Sequence, residues 1–167
     1  MELYETLAAR HSTRSFTGGK VPEDALTRIL RAGRAAPVGM GRFSDVKLTV
    51  VETAEGMNRL RAVLAKDGAG DALYGAPVFI AVASKEGPVG FLNAGAVIEN
   101  MLLAAAAEGL GTCFIAGCLL GSKHKAELAS VLKVPEGFEI MSGVALGVAA
   151  GSAPKKALEA EFETKRI

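Results

Sequence analysis

The residues with the greatest chemical capacity stand together near the start of the chain: Arg10, His11, Ser12, Thr13 and Arg14. Two are permanent cations. An arginine's planar fork suits a phosphate, and a serine hydroxyl adds a further donor. The group falls where a short helix-patterned segment, 2–10, gives out, so it is expected at a helix exit and not along a helical face. Read from residues alone, it is either an anion or phosphate site or a solvated surface turn. A second basic element, Lys155 and Lys156, lies near the C-terminus, and nothing local shows that the two meet.

The other candidate motifs are weaker. Gly109 and Gly111 form G-x-G, but Phe114 occupies the third position of a dinucleotide fingerprint. Residues 117–123 read G-C-L-L-G-S-K, one residue short of a P-loop and with no Ser or Thr after the lysine. Cys113 and Cys118 are not spaced as C-x-x-C and read as small core residues. His11 has no evident acid to orient it, and His124 reads as a solvated side chain in a charged segment. Two Cys and two His are too few for a zinc site, and no metal is expected.

The elements that must position Arg10–Arg14 follow from periodicity. Segment 2–10 is expected to form a short helix with Leu3, Leu7 and Tyr4 on one side. A second helix begins at Pro22, with Glu23 and Asp24 at its positive end, Leu26, Ile29 and Leu30 inward, and Pro37 beyond its end. Residues 46–51 alternate as a strand, and 55–66 is helical with Met57, Leu60, Val63 and Leu64 inward. The unbroken apolar run 77–83 marks a central strand covered on both faces. Segment 91–108 is a helix apolar nearly all round, as at a domain centre or between subunits. Strand 112–115, a helix over 122–132 capped by Ser122, strand 140–146 and a polar tail from Gly151 complete the order. This αα-β-α-β-α-β-α-β series predicts an α+β or α/β sandwich on one sheet, in a single domain spanning 1–167.

Composition bounds the partners. The chain has 167 residues, 19 Lys+Arg against 18 Asp+Glu, half of its residues hydrophobic and no Trp. That length buries roughly 70% of the unfolded surface without disulfides. A net charge of +1 gives no global footprint for nucleic acid or an anionic membrane, so neither is expected as a partner. The mean hydropathy of +0.29 favours a buried subunit interface. The acidic start, M-E-L-Y-E, is unlike a signal peptide, and the dense apolar run 101–107 is short for a bilayer, so a cytoplasmic location is expected.

Several segments occur together in one order: R-H-S-T-R-S-F at 10–16, A-A-P at 35–37, A-P-V-F-I-A-V at 76–82 and G-L-G-T-C-F-I-A-G at 109–117. V-P-E-G-F follows at 134–138 and G-V-A-L-G at 143–147. In these the chain resembles the FMN-dependent nitroreductase family. The resemblance implies an α+β fold with a central mixed sheet flanked by helices, and a homodimer binding FMN at its interface. It implies hydride transfer from NAD(P)H to flavin and on to a nitroaromatic, quinone or similar small acceptor. Arg10 and Ser12 would hold the phosphate and ribityl end with His11 nearby, and Arg14 would lie by the pyrimidine edge. The backbone of Ala116 and Gly117 would face flavin N5 and O4, and Lys155 or Lys156 would be a second phosphate cation. Pro37, Val38 and Gly39 would reach the partner's flavin, segment 91–108 would form the dimer core, and tail 151–167 would pack on the partner subunit.

The chain also departs from that family. Where members commonly carry Asn, Gln and Pro-Trp after A-P-S, it has Gly41, Phe43, Ser44 and Asp45, and the stretch 85–90 is too short for a lid. An open pocket follows. The alternative is a flavin-binding or flavin-storage module without robust turnover, and a third reading is a phosphate-ligand protein for another nucleotide.

Overall fold

The chain runs α1 (Leu3–Ala9), α2 (Glu23–Arg34), two short 3-10 turns (Gly39–Gly41 and Phe43–Asp45), β1 (Val46–Val51), α3 (Ala54–Ala65), β2 (Val78–Lys85), α4 (Pro88–Ala107), β3 (Gly111–Ile115), α5 (Gly117–Leu120), α6 (Lys125–Val131) and β4 (Phe138–Gly147). This is a computed structural model describing residues 2–68, 70–153, 156, 158 and 162–167. The order matches the sequence reading, with the one-turn α5 and the two 3-10 turns added.

The apolar run at 77–83 becomes β2, buried from Val78 to Ser84. Successive strand residues point to opposite faces. Val78, Ile80 and Val82 enter a core with Leu26 and Ile29 of α2 and Val97, Ile98 and Met101 of α4. Phe79 and Ala81 enter a second core with Leu60 and Leu64 of α3, Leu119 of α5 and Leu128 of α6. Helices thus cover both faces of one sheet.

The sheet order is β1-β2-β4-β3, and every adjacent pair is antiparallel. The expected mixed sheet is therefore corrected. Helix α4 does carry the chain back, about 30 Å over its 20 residues, so β3 points the same way as β2. Strand β4 then inserts between them, which makes both contacts antiparallel. Parallel pairing is confined to an isolated bridge between Ser12 and Thr112.

Helix α4 has a mean hydropathy of 1.5 and the length of a membrane span. Its Val97, Ile98, Met101, Leu102 and Ala105 pack inside the fold, so its apolarity is that of a core helix. The expected cap at Ser122 is corrected, and α1 keeps its apolar side open. On α1, Leu3 and Tyr4 are exposed, at 63% and 72%, because no part of the described chain covers that face. Helix α6 starts at Lys125, with His124 as its N-cap residue. The Ser122 hydroxyl is engaged elsewhere: it donates to Asp67.

The closeness of the layers shows at Gly143 of β4. A Cβ there would collide with the Phe79 ring and stand 2.9 Å from the Ile80 carbonyl oxygen. Gly143→Ala is expected to destabilise the fold by about 1–3 kcal/mol, the usual cost of overpacking. Urea denaturation measures this, and an unchanged midpoint would contradict the packing described.

Candidate functional site

Arg10 is the C-cap residue of α1 and already extended, at φ −62° and ψ 122°. The chain then lies along the sheet margin. The Thr13 amide donates to the Thr112 carbonyl at 2.7 Å, the Thr17 amide to Val148 at 2.9 Å, and the Ala150 amide to Ser15 at 3.0 Å. The polar stretch is consequently a fixed segment and not a loose turn. Thr13 is buried, and Gly111 permits its approach: a Cβ on Gly111 would meet the Thr13 Oγ1 at 2.7 Å.

His11 belongs to this local framework. Its Nδ1 lies 3.0 Å from the Ala9 carbonyl, which can only accept, so Nδ1 carries the proton. Nε2 is then the acceptor for the Thr13 hydroxyl at 3.4 Å. The ring braces the helix exit and is not poised as an acid or base.

In an extended segment Arg10, Ser12 and Arg14 alternate with His11 and Thr13. All three act on one atom, the Cys113 thiol of β3. Burial pushes that thiol up, and the Arg14 charge, the Arg10 charge and a hydrogen bond with Ser12 oppose the rise without reversing it. Cys113 and Cys118 are both free thiols raised by burial, which agrees with their reading as core residues. Among the described residues no carboxylate pairs with Arg10 or Arg14, whereas Arg28 and Lys66 are engaged by Glu108 and Glu127. Beside Arg10 opens a cavity of about 390 Å³, lined also by His11, Thr13, Gly111, Thr112 and Val148.

Strand β3 ends at Ile115, and Ala116 and Gly117, which lead into α5, follow about 10 Å beyond Cys113 at strand rise. Among the described residues neither of their backbone N–H groups has an acceptor. The tail contributes too: the Lys156 amide donates to the Ala8 carbonyl at 3.0 Å, two residues from Arg10. Lys155 lies outside the described residues.

Pro37, Val38 and Gly39 are not part of this cluster. The Gly39 amide donates to the Asn93 Oδ1 at 2.9 Å. Asn93 stands 13 residues before Ala106 on α4, about 20 Å along the helix. Within one protomer these residues and the Arg10 cavity occupy opposite ends of α4.

Sequence reasoning missed the sheet contact of Thr13, the role of Asn93 and a clamp behind Gly117. Asp67, just past α3, accepts the Ser122 hydroxyl at 2.6 Å and the Lys123 amide at 3.3 Å, with the His124 Nε2 at 3.8 Å. The Ser122 hydroxyl oxygen in turn accepts the His124 amide at 3.0 Å. This ties the loop after α5 to α3, and His124 is engaged there instead of merely solvated. Asn93, a polar residue on a largely apolar helix, was a usable signal. The clamp, spanning 55 residues, gave none.

With the geometry in place, comparison with known proteins is informative. The model of the nitroreductase family matches residues 7–69 and 64–148. The fold superposes on a nitroreductase with bound FMN from Bacteroides fragilis at a TM-score of 0.85 and 28% identity, over the whole of both chains. A nitroreductase with bound FMN from Desulfitobacterium hafniense gives 0.85 at 22% identity, again over both whole chains. A proposed NADH dehydrogenase/NAD(P)H nitroreductase from Parabacteroides distasonis gives 0.80 at 20%, over 99% of this chain and 98% of that one.

The clamp has a pH signature. The Ser122 hydroxyl, foremost, holds the Asp67 carboxyl below its ordinary value of 3.8, and the Lys123 amide and His124 charge add to this. A lowered folded-state pKa contributes stability above the unfolded value, lost as pH falls through the folded one. Asp67→Asn should therefore flatten the fall in stability below about pH 4 while lowering stability at neutral pH. Denaturant titrations between pH 3 and 7 measure both; parallel acid limbs in the two proteins would contradict the clamp.

Proposed function

The chain belongs to the nitroreductase family, and from that premise we propose that it is an FMN-dependent oxidoreductase working as a homodimer, with NADH or NADPH as hydride donor and a nitroaromatic, quinone or similar small molecule as acceptor. The observation that carries this is a pair of cations, unpaired with any carboxylate among the described residues, on a segment bridged to β3, with two open amides just past the end of that strand. Arg10, Ser12 and Arg14 all bear on the ionisation of the Cys113 thiol of β3, and the Ala116 and Gly117 N–H groups, without an acceptor among the described residues, follow the end of that strand. That spacing suits a ligand with an anionic phosphate at one end and a polar ring at the other.

The residues present fit the cofactor. Arg10 and Ser12 would hold the phosphate, with His11 fixing the backbone between them. Lys156, brought to α1 by its own amide, would supply the second positive charge. Arg14 would stabilise negative charge added to the pyrimidine edge, and the Ala116 and Gly117 amides would orient the ring. Bound FMN would accept hydride and pass it on; the protein's task is placement and electrostatics, so no nucleophile or acid–base pair is required. In the dimer Pro37, Val38 and Gly39, held about 20 Å along α4 from the Arg10 cavity, would serve the site of the partner. The exposed apolar side chains of Leu3, Tyr4, Phe91 and Leu92 supply surface for that association.

A second reading, flavin binding without robust turnover, draws on the loop before β1. Asp45 there is spent on structure: its carboxylate pairs with Lys85 at 3.2 Å, and its carbonyl accepts the Ser84 hydroxyl. Rapid mixing of the flavin-loaded protein with NADH and NADPH separates the two. Bleaching of bound flavin with either supports the oxidoreductase, and bleaching with neither supports the binding module.

Purified protein is expected to be yellow, or to become so on FMN titration; a preparation that stays colourless would refute the assignment. Arg10→Ala should weaken FMN binding by about 1.5–3 kcal/mol, the scale of a charge-assisted hydrogen bond. Equilibrium titration reads this directly, and an unchanged affinity would remove Arg10 from the phosphate.

A further inference from the structure

Asn93 is 6% exposed, on a largely apolar helix whose other polar side chains are Glu99 and Asn100. A buried amide is costly unless it is bonded, and its Oδ1 accepts the Gly39 amide at 2.9 Å. Seven residues on, Asn100 donates to the Ala32 carbonyl at 3.0 Å. One helix therefore holds both the exit of α2 and the loop that follows it.

The loop so held is unusual. Gly39 sits so close to α4 that a Cβ would stand 2.8 Å from Val89 Cγ1. Met40 follows at φ 55° and Gly41 at φ 66°, both left-handed. Glycine adopts that conformation freely, whereas methionine does so at a cost. Met40 is nevertheless 77% exposed. The far end of the loop is pinned by the buried Ser84, whose hydroxyl donates to the Asp45 carbonyl at 2.8 Å. Between two anchors, the fold spends conformational energy to hold one apolar side chain out in solvent. Strain maintained in this way marks a segment fixed for contact with something absent from the free protomer.

We propose that Asn93 is a positioning residue for the flavin site: its side-chain carbonyl fixes the Gly39 amide and so holds loop 38–41 in the left-handed turn that presents Met40 to the flavin of the partner subunit. This rests on the reading of the protein as an FMN-binding dimer. Fixing the loop in advance removes the ordering cost that a loose loop would pay when the flavin site closes around its ligand.

The test compares wild type with Asn93→Leu, Asn93→Asp and Met40→Gly. Hydrogen exchange on the FMN-free chain should show faster exchange at Gly39–Arg42 in Asn93→Leu, and near wild-type exchange in Asn93→Asp, which keeps an acceptor. FMN affinity should fall about tenfold in Asn93→Leu, the energy of one ordinary hydrogen bond, and recover in Asn93→Asp. Met40→Gly should keep or raise the thermal midpoint, since its left-handed turn is relaxed, while changing the absorption band of bound flavin. Wild-type FMN affinity in Asn93→Leu, equal impairment in Leu and Asp variants, or an unaltered flavin band in Met40→Gly would each overturn the proposal. If wild type itself binds no FMN, the flavin reading fails and this inference with it; yellow wild type with an unaffected Asn93→Leu overturns this inference alone.

Discussion

The hydrogen bond from the Thr13 amide to the Thr112 carbonyl fixes what would otherwise be a polar turn. It lays the segment after α1 against the start of β3, and Gly111 makes the approach possible by having no side chain to meet Thr13. Once that backbone is fixed, Arg10, Ser12 and Arg14 have a defined side of an extended chain. His11 is drawn into bracing it from the other. The two arginines keep their charge available because the local framework is built from hydroxyl, imidazole and backbone groups.

The sheet determines what that segment faces. Because β4 inserts between β2 and β3, the central positions are taken by β2 and β4, both deeply buried, and β3 is left at the margin. A marginal strand still has backbone groups to offer. At one end of β3 these bind the Thr13 segment, and at the other they leave the Ala116 and Gly117 amides without an acceptor. The same helix that returns the chain to β3 also separates the Gly39 loop from the Arg10 cavity at the start of this strand by most of its length. A flavin site assembled from two copies is the form proposed for this protein.

Most of the elements were legible because burial on two faces leaves little compositional freedom. The run at 77–83 and the alanine-rich α4 could be read directly for that reason. Pair orientation was not, since antiparallel contact between β2 and β4 depends on a strand some sixty residues later, whose place in the order no local pattern records. The apolar side of α1 was readable, but periodicity says which side is apolar and not what covers it. At the site, the arginines and Ser12 announced themselves by charge and spacing. Thr13 reads as one more polar residue until its amide is seen to carry the sheet contact. The Asp67 clamp joins residues that only the packing of α3 beside α6 brings together.

Diffraction from crystals grown with FMN shows most directly whether the segment after α1 and the end of β3 hold the two ends of the cofactor. The account predicts density with the phosphate against Arg10 and Ser12, the ring against the amides of Ala116 and Gly117, and loop 38–41 of the second copy beside it. Density for FMN with its phosphate away from Arg10, or a site completed within a single protomer, would contradict it.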